Sequence, residues 1–160
     1  MKLIFGNLLD IDEGIILHQC NTQAMMGKGI ASFLIKKYPD LQKAARQHVG
    51  MADMMEQDVF GTVFFYLATD QWTIGNCFSE VGMCSNRKPG DPPNTSYDAL
   101  IKCFNIVKES NTELRDVYVP FKVGCGLAGG SWGLVSEILN DYDFTVVARN
   151  SDYEEWINNK

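Results

Sequence analysis

The sequence predicts an α/β fold with a mixed, mostly parallel central sheet and helices on both of its faces. Two observations support it: short apolar runs end at turn residues, and segments of helical periodicity lie between those runs. Strands are predicted at residues 2–5, 14–20, 58–68, 71–79, 116–121 and 143–148. Helices are predicted at residues 29–37, 39–49, 94–110 and 131–140, with Asn94 or Thr95 as the cap of the third. Ligands of such sheets bind beyond the carboxyl ends of the strands.

The first part of the chain places two strands before a glycine-rich turn and two helices after it. The first strand runs into a polar turn at Gly6-Asn7, and the apolar run of the second strand, Gly14-Ile-Ile-Leu17, ends at His18. The segment Met26-Gly-Lys-Gly-Ile-Ala31 then opens a helix. The next helix, Leu41-Gln-Lys-Ala-Ala-Arg-Gln-His48, is polar, which predicts that His48 lies on a solvated face.

The last part of the chain repeats the order of strand, glycine loop and helix. Before it, Asn86-Arg-Lys-Pro-Gly-Asp-Pro-Pro-Asn94 is rich in turn residues and predicts an exposed connection. The strand Val117-Tyr-Val-Pro-Phe121 leads into Gly124-Cys-Gly-Leu-Ala-Gly-Gly130 and a helix. After the final strand, Asp152-Tyr-Glu-Glu-Trp156 predicts a short amphipathic helix with Trp156 packed on the body.

Composition argues against several classes of protein. The chain has 160 residues, 46% of them hydrophobic, which suits a single domain over residues 1–160. Its formal net charge of −6 opposes clamping of duplex nucleic acid, because that affinity comes largely from lysine and arginine. No apolar stretch approaches the roughly 20 residues of a membrane span, and the first residues do not form a secretory leader. We therefore expect a cytoplasmic protein with a small-molecule ligand and no membrane partner.

The cysteines predict neither disulfides nor a metal centre. Their number is odd and no C-x-x-C spacing occurs, so they are interpreted as free thiols. His18-x-Cys20 has no second pair at ligand spacing, and we expect no metal and no cofactor. The five positions are Cys20, Cys77, Cys84, Cys103 and Cys125.

Two glycine-rich loops, residues 26–31 and 124–130, are the strongest functional signal. Each leaves an apolar strand and leads into a helix. Glycine lets backbone N–H groups approach a ligand closely, and a helix N-terminus adds partial positive charge, so each loop is suited to holding phosphate. Two such loops predict a diphosphate ligand.

Three other interpretations of these loops fit less well. Gly124-x-Gly126-x-x-Gly129 matches the dinucleotide fingerprint, but only one strand follows it, whereas a Rossmann unit normally has two more. The first loop lacks the G-x-x-x-x-G-K-[ST] frame of nucleoside triphosphatases. Cys125 lies where a thiolate phosphatase has its nucleophile, yet Ser131 stands where that class needs an arginine. Cys125 is therefore interpreted as a packing residue.

His18 has two interpretations. A histidine on a buried strand is most often a hydrogen-bonded core residue. Its position at the ligand-facing end of the strand, three residues before Asn21, equally suits a catalytic acid or base, because histidine titrates near neutral pH. The sequence leaves both interpretations open.

At these residues the chain resembles macrodomains, which are ADP-ribose-binding modules of three-layer α/β/α architecture. Within that family it looks closest to the branch of the ADP-ribose-1″-phosphate phosphatase and the terminal ADP-ribose protein glycohydrolase, which resemble it in His18 and in the first glycine loop. The matching segments are Gly6-Asn7-Leu8, Ile16-Leu-His-Gln-Cys-Asn21, Met26-Gly-Lys-Gly-Ile-Ala31, Tyr38-Pro39 and Pro120-Phe-Lys-Val-Gly-Cys-Gly-Leu-Ala-Gly-Gly-Ser-Trp132.

The resemblance implies an ADP-ribose site at these positions. It places Gly6, Asn7 and Leu8 beside adenine and Asn21 beside the distal ribose. His18 is the candidate acid or base, and Asn21 would orient substrate or water. The two loops would surround the diphosphate and distal ribose through Met26, Gly27, Lys28, Gly29, Ile30, Gly124, Cys125, Gly126, Leu127, Ala128, Gly129 and Gly130.

Three positions depart from the family pattern. Asn7 stands where many macrodomains have an aspartate that accepts a hydrogen bond from the adenine amino group. Ala128 aligns with the catalytic aspartate of the glycohydrolase. Val147 stands where relatives often stack a tyrosine on adenine, so Arg149 or another side chain would have to cover the base.

The expected function is binding of ADP-ribose, together with hydrolysis of ADP-ribose 1″-phosphate to ADP-ribose and phosphate. One alternative is a non-hydrolytic reader of free or attached ADP-ribose, which uses the same loops and needs no catalytic group. The other is a hydrolase that removes ADP-ribose from protein or nucleic acid. Ala128 and the acidic composition count against this last alternative.

Overall fold

The computed structural model of the protein describes residues 1–82 and 87–159. The described strands are β1 (Lys2–Phe5), β2 (Gly14–Asn21), β3 (Val63–Leu67), β4 (Trp72–Glu80), β5 (Val117–Pro120) and β6 (Thr145–Ala148). The described α-helices are α1 (Gly29–Lys37), α2 (Leu41–Met54), α3 (Tyr97–Ser110), α4 (Trp132–Leu139) and α5 (Asn150–Asn158). A short 3-10 helix, Leu8–Asp10, follows β1.

The strands form one sheet in the order β1-β6-β5-β2-β4-β3. All neighbours run parallel except β3, which pairs antiparallel with β4 at one edge. The predicted mixed, mostly parallel sheet is therefore confirmed. The third strand begins at Val63 rather than at residue 58, because Thr62 turns back on the carbonyl of Val59 and Gly61 has a φ of +78°.

Helices cover both faces of the sheet. Successive residues of a strand point to opposite faces, so Ile15 and Leu17 enter one apolar cluster while Ile16 enters the other. Helices α3 and α4 bury their apolar stripes against the first face, and Trp156 of α5 packs there too. Helices α1 and α2 cover the second face, with Leu34 and Leu41 fully buried. The result is the expected three-layer α/β/α arrangement.

Two helix ends and one surface histidine differ from prediction. Helix α3 is capped by Ser96, whose side chain accepts from the N–H of Ala99, and not by Asn94 or Thr95. Helix α2 extends to Met54, five residues past the predicted end. His48 is half-buried, with its ring stacked 4.7 Å from that of Phe64, so its face is not simply solvated.

Several smaller predictions can be compared directly. The C-terminal tail forms α5, with the Trp156 ring 5.9 Å from that of Phe121, as predicted. Cys20, Cys77, Cys103 and Cys125 are free thiols, whereas Cys84 lies outside the described residues. Asn86 also lies outside them, and residues 87–94 are exposed or half-buried. Within the described part of the chain, no helix is long and apolar enough to cross a membrane.

Candidate functional site

Two adjoining cavities lie at the carboxyl edge of the sheet, where segments following β1, β2, β5 and β6 converge. Their shared wall is Gly29, Ile30, Pro120 and Phe121. The first, here called the loop cavity, has a volume of about 230 Å³ and is also lined by Gln19, Lys28, Ala31, Glu80, Lys122, Val123, Gly124, Gly126, Leu127 and Ala128. The second, the rim cavity, has a volume of about 390 Å³ and is also lined by Gly6, Asn7, Leu8, Leu9, Phe33, Val147, Ala148, Arg149 and Asp152.

The loop between β5 and α4, residues 121–130, is folded back on itself by its own backbone. The N–H of Cys125 donates to the carbonyl of Lys122 at 2.9 Å, and the N–H of Gly130 donates to that of Gly124 at 2.9 Å. A Cβ on Gly130 would lie 2.5 Å from the Gly124 oxygen, so only glycine permits this closure. The closed loop presents its middle residues to the loop cavity.

Three successive amides of this loop are available to a ligand. Among the described residues, nothing accepts a hydrogen bond from the N–H of Gly126, Leu127 or Ala128. Consecutive backbone N–H groups in a turn form a concave site for anions. A Cβ added to Gly126 would have no atom within 4 Å, so this wall of the cavity is open backbone.

The N-terminus of α1 supplies donors to the opposite wall. The helix begins at Gly29, and its N-cap Lys28 makes no capping bond through its side chain, so the first-turn amides are not satisfied within the helix. Those amides carry the positive end of the helix dipole. Lys28 and Lys122 also line the loop cavity and add positive charge. The cavity is therefore suited to an anionic group.

A polar network beneath the loop cavity ties the loop to the sheet. Gln19 accepts from the Ser79 hydroxyl at 3.0 Å and donates to the Thr95 hydroxyl at 2.9 Å, which in turn donates to the carbonyl of Gly124 at 2.5 Å. Glu80, at the end of β4, is only 6% exposed and lines the cavity. Sequence reasoning missed Gln19 and Glu80, although each is a polar residue at the carboxyl end of an otherwise apolar strand.

His18 does not line the loop cavity or the rim cavity, which favours its interpretation as a hydrogen-bonded core residue over that of a ligand-facing acid or base. The ring is fully buried, and Nε2 lies 2.6 Å from the Asn76 Oδ1 atom. Burial lowers the pKa of His18 to about 4, against the opposing effect of the Asn76 hydrogen bond, so the ring is neutral at pH 7. Because neighbouring strand residues point to opposite faces, Gln19 reaches the cavity and His18 enters the core.

Asn21 and Met26 shape the first glycine loop from within. The Asn21 Oδ1 atom accepts from the N–H groups of Gln23 and Met25, and its Nδ2 donates to the Met25 carbonyl, all at 3.1 Å. Met26 is buried in the core, and its N–H donates to Gln42. Neither residue lines the loop cavity or the rim cavity, and both hold the loop in position, whereas the sequence predicted that they contact the ligand.

Four further predicted positions also lie outside the cavity walls: Gly27, Cys125, Gly129 and Gly130. A Cβ on Gly129 would collide with the Arg87 guanidinium, so the absence of a side chain at this position makes room for Arg87 and not for a ligand. Burial raises the pKa of Cys125 to about 12, in spite of nearby Lys122, so it is a thiol at neutral pH. That agrees with its interpretation as a packing residue.

The rim cavity has an apolar floor and a charged edge. Val147 is buried and Phe33 is 57% exposed at its side. Asn7 caps the 3-10 helix, with Oδ1 accepting from the N–H of Leu9 at 3.0 Å. Arg149 pairs with Asp152 at 2.8 Å. Apolar side chains beside hydrogen-bonding groups suit a nitrogen heterocycle.

No metal-binding group is found in the part of the chain that the structure describes. Within residues 1–82 and 87–159, no three side chains of histidine, cysteine, aspartate or glutamate are grouped so that they could hold an ion. The hydrogen-bond donors that line the two cavities include backbone amides, the side-chain amides of Gln19 and Asn7, two lysines and one arginine.

No protein-family model matches the chain. Among curated proteins, it is similar to an uncharacterized 17.5 kDa protein from the tk-vs intergenic region of Enterobacteria phage T4. The two are 27% identical over 147 residues, which is 89% of each.

Solved structures identify the fold. A protein of unknown function from Bacteroides thetaiotaomicron is 25% identical, with a TM-score of 0.76 over 93% of this chain and 98% of that one. A macrodomain protein from Streptomyces coelicolor is 22% identical, with a TM-score of 0.72 over 93% and 97%. A macrodomain mutant from Oceanobacillus iheyensis with ADPR is 16% identical, with a TM-score of 0.67 over 99% and 93%. The chain has the macrodomain fold.

Proposed function

We propose that this chain, which has the macrodomain fold, binds ADP-ribose across its two cavities. The adenosine half would occupy the rim cavity, and the diphosphate would cross the shared wall at Gly29 and Phe121. The distal ribose would then lie in the loop cavity, above Gln19 and Glu80. This proposal depends above all on the convergence of two sets of backbone donors, the amides of residues 126–128 and the first turn of α1, from opposite walls of the loop cavity.

Charge and shape both support this ligand. A diphosphate carries negative charge that the α1 dipole, Lys28 and Lys122 attract, in spite of the formal net charge of −6 for the whole chain. The two cavities adjoin, so a ligand with a base at one end and a sugar at the other can fill both. The Oceanobacillus macrodomain mutant, whose structure holds ADPR, has the same fold.

We also propose that the loop cavity hydrolyses ADP-ribose 1″-phosphate, and the specific observation in favour is Glu80. In a cavity whose N–H groups and lysines bind phosphate, a carboxylate can take a proton from water as the water oxygen attacks phosphorus. The bond from phosphorus to the C1″ oxygen then breaks, and that oxygen takes a proton from solvent, leaving ADP-ribose and phosphate. The loop amides and the lysines would stabilise charge on the phosphoryl oxygens. Glu80 takes the role first considered for His18.

Calorimetry with ADP-ribose, AMP and ribose 5-phosphate tests the binding proposal. We expect ADP-ribose to bind at least tenfold more tightly than either fragment, because only the complete ligand reaches both cavities. Equal affinity for AMP and ADP-ribose would contradict the proposed pose.

Phosphate release from ADP-ribose 1″-phosphate tests the hydrolytic proposal. The Glu80→Gln variant keeps the shape of the side chain, and we expect it to lose about 10²-fold or more in rate while still binding ADP-ribose. Binding without turnover by the unmodified protein would instead identify a non-hydrolytic reader. Removal of ADP-ribose from a modified protein or nucleic acid, with no phosphate release, would identify the third function.

A further inference from the structure

The rim cavity contains an ion pair of defined geometry. Arg149 follows β6 directly, and Asp152 lies in the first turn of α5. The Arg149 Nε donates to one carboxylate oxygen at 2.8 Å and an Nη donates to the other at 3.1 Å. Such a two-point pair fixes the guanidinium and the carboxylate in a common plane. The two side chains are 72% and 39% exposed, so the pair contributes little to stability.

Asn7 presents a donor to the base end of the cavity. Its Oδ1 atom is directed at the N–H of Leu9, as the cap of the 3-10 helix requires. The remaining arm of the amide, Nδ2, can only donate. The amino group of adenine is also a donor, so Nδ2 cannot receive it, and the one lone pair that remains on Oδ1 belongs to a neutral group, which makes Asn7 a weaker acceptor than a carboxylate.

The carboxylate of Asp152 can accept a hydrogen bond from an adenine amino group at this end of the cavity. Among the described residues lining the rim cavity it is the one carboxylate, and each of its oxygens keeps a lone pair beyond the bond from Arg149. Arg149 brings a flat, weakly hydrated cation, which stacks well on a nucleobase. Val147, which also lines the rim cavity, has no aromatic ring that could stack on the base.

We propose that the Arg149–Asp152 pair selects the nucleobase, with Asp152 accepting from the exocyclic amino group of adenine and Arg149 covering the ring. The proposal rests on the binding of ADP-ribose proposed above and adds its base selectivity. In the inosine analogue of ADP-ribose, a carbonyl oxygen replaces the amino group and would face the carboxylate. Two acceptors then oppose each other, which disfavours this ligand.

The test compares the affinities of ADP-ribose and its inosine analogue by calorimetry. We expect the unmodified protein to prefer ADP-ribose by about tenfold or more, the range for one good contact to a base edge. In Asp152→Asn, whose amide can turn either atom to the base, the ratio should fall close to one. Arg149→Lys should weaken both ligands by a similar factor, because the stacking plane is lost for either base.

Two variants separate this assignment from its alternatives. Asn7→Ser keeps an oxygen for the cap of the 3-10 helix, and we expect it to keep the preference for adenine whatever its effect on affinity. Asp143→Asn removes an exposed carboxylate that pairs with Lys2 at 3.7 Å, away from the residues that line the cavities, and serves as the matched control.

Three results would overturn the assignment. They are equal affinity of the unmodified protein for both ligands, a preference for adenine that persists in Asp152→Asn, and a preference that disappears in Asn7→Ser alone. Each of these leaves ADP-ribose binding intact and removes only the role of the ion pair. If neither ligand binds the unmodified protein, the proposed function fails and the base assignment fails with it.

Discussion

Gly126 and Gly129 belong to one loop yet have different surroundings. The difference determines at which of the two a side chain would obstruct a bound ligand. A Cβ on Gly126 would stand in open space at the wall of the loop cavity, whereas one on Gly129 would meet the Arg87 guanidinium. The backbone at Gly129 has a φ of +74°, while Gly126 is not in the left-handed region. Of these two glycines, only Gly126 can therefore be replaced by a residue with a side chain without a steric clash.

We expect Gly126→Val to lower the affinity for ADP-ribose at least tenfold while the fold is kept. The branched side chain would cover amides that the phosphates need, and the local backbone conformation permits valine. Calorimetry measures the affinity, and circular dichroism checks the fold. Gly50→Val makes the same change in open space on α2 and should bind normally. Normal binding by Gly126→Val would exclude this loop wall from the site.

The buried position of His18 makes stability depend on pH. Burial lowers its pKa from 6.5 to about 4, so between these values the unfolded chain binds the extra proton and the folded chain does not. The contribution is complete above pH 6.5 and is lost as the pH falls toward 4, with a magnitude on the order of 3 kcal/mol. Acid therefore destabilises the protein through this ring.

Denaturant titrations of the unmodified protein and of His18→Gln would measure this effect. We expect the difference in unfolding free energy to be largest at pH 7 and to narrow by on the order of 2–3 kcal/mol near pH 4. Subtracting the two proteins removes the contribution of carboxylates that both contain. A difference that stays constant with pH would mean that His18 titrates normally in the folded state.

At this scale, sequence reasoning located the loops better than the side chains. Glycine spacing alone indicated residues 124–130, because a glycine shows directly where the backbone needs a conformation or a close approach that other residues do not allow. The direction of His18 was not predictable, because the end of β2 is polar at successive positions and gives no alternation from which to infer its buried face. Glu80 was missed because the strand was predicted to end at residue 79, one residue before it.

At the scale of elements, Thr95 and Ser96 are neighbours with separate tasks. Thr95 links β2 to the β5–α4 loop through Gln19 and Gly124, and Ser96 caps α3. Sequence reasoning placed the start of this helix nearly correctly but assigned the cap to Asn94 or Thr95. Three consecutive residues, Asn94 to Ser96, have side chains able to cap, and only the tertiary contacts distinguish them.

We expect Thr95→Val and Ser96→Ala to have different effects on binding. Thr95→Val leaves the Gln19 amide without its acceptor and removes one of the two hydrogen bonds to the Gly124 carbonyl, which keeps the bond from Gly130. The loss costs about 1–3 kcal/mol and should loosen the loop, weakening ADP-ribose binding several-fold. Ser96→Ala removes the cap and costs about 1 kcal/mol without changing affinity. Thermal unfolding and calorimetry measure the two quantities. Equal loss of affinity in both variants would contradict a loop-fixing role for Thr95.

For the whole molecule, the order of strands and helices was predictable because buried parallel strands are continuous apolar runs. All six predicted strands occur, and both glycine loops follow strand ends at the carboxyl edge of the sheet. The division of the site into two cavities was not predictable. It depends on how closely α1 approaches the β5–α4 loop across the sheet, which is a property of packing rather than of any one segment.

We expect ADP-ribose to raise the melting temperature, because it would bind only the folded chain. At a concentration 100 times its dissociation constant, the stabilisation is about 2.7 kcal/mol, which corresponds to roughly 5–11 °C for a chain of this size. Differential scanning calorimetry with AMP at the same concentration is the comparison, and its shift should be smaller. An equal shift with ribose 5-phosphate would argue for a simple anion site.

The cavities draw on residues from Gly6 near the start of the chain to Asp152 near its end. During synthesis on the ribosome, both glycine loops emerge before β6 and α5 complete the rim cavity. A nascent chain would thus have most of the N–H groups that bind phosphate, but its rim cavity for the base would still be incomplete. Affinity for the whole ligand would arise only once β6 enters the sheet between β1 and β5, so binding would report that this sheet is complete.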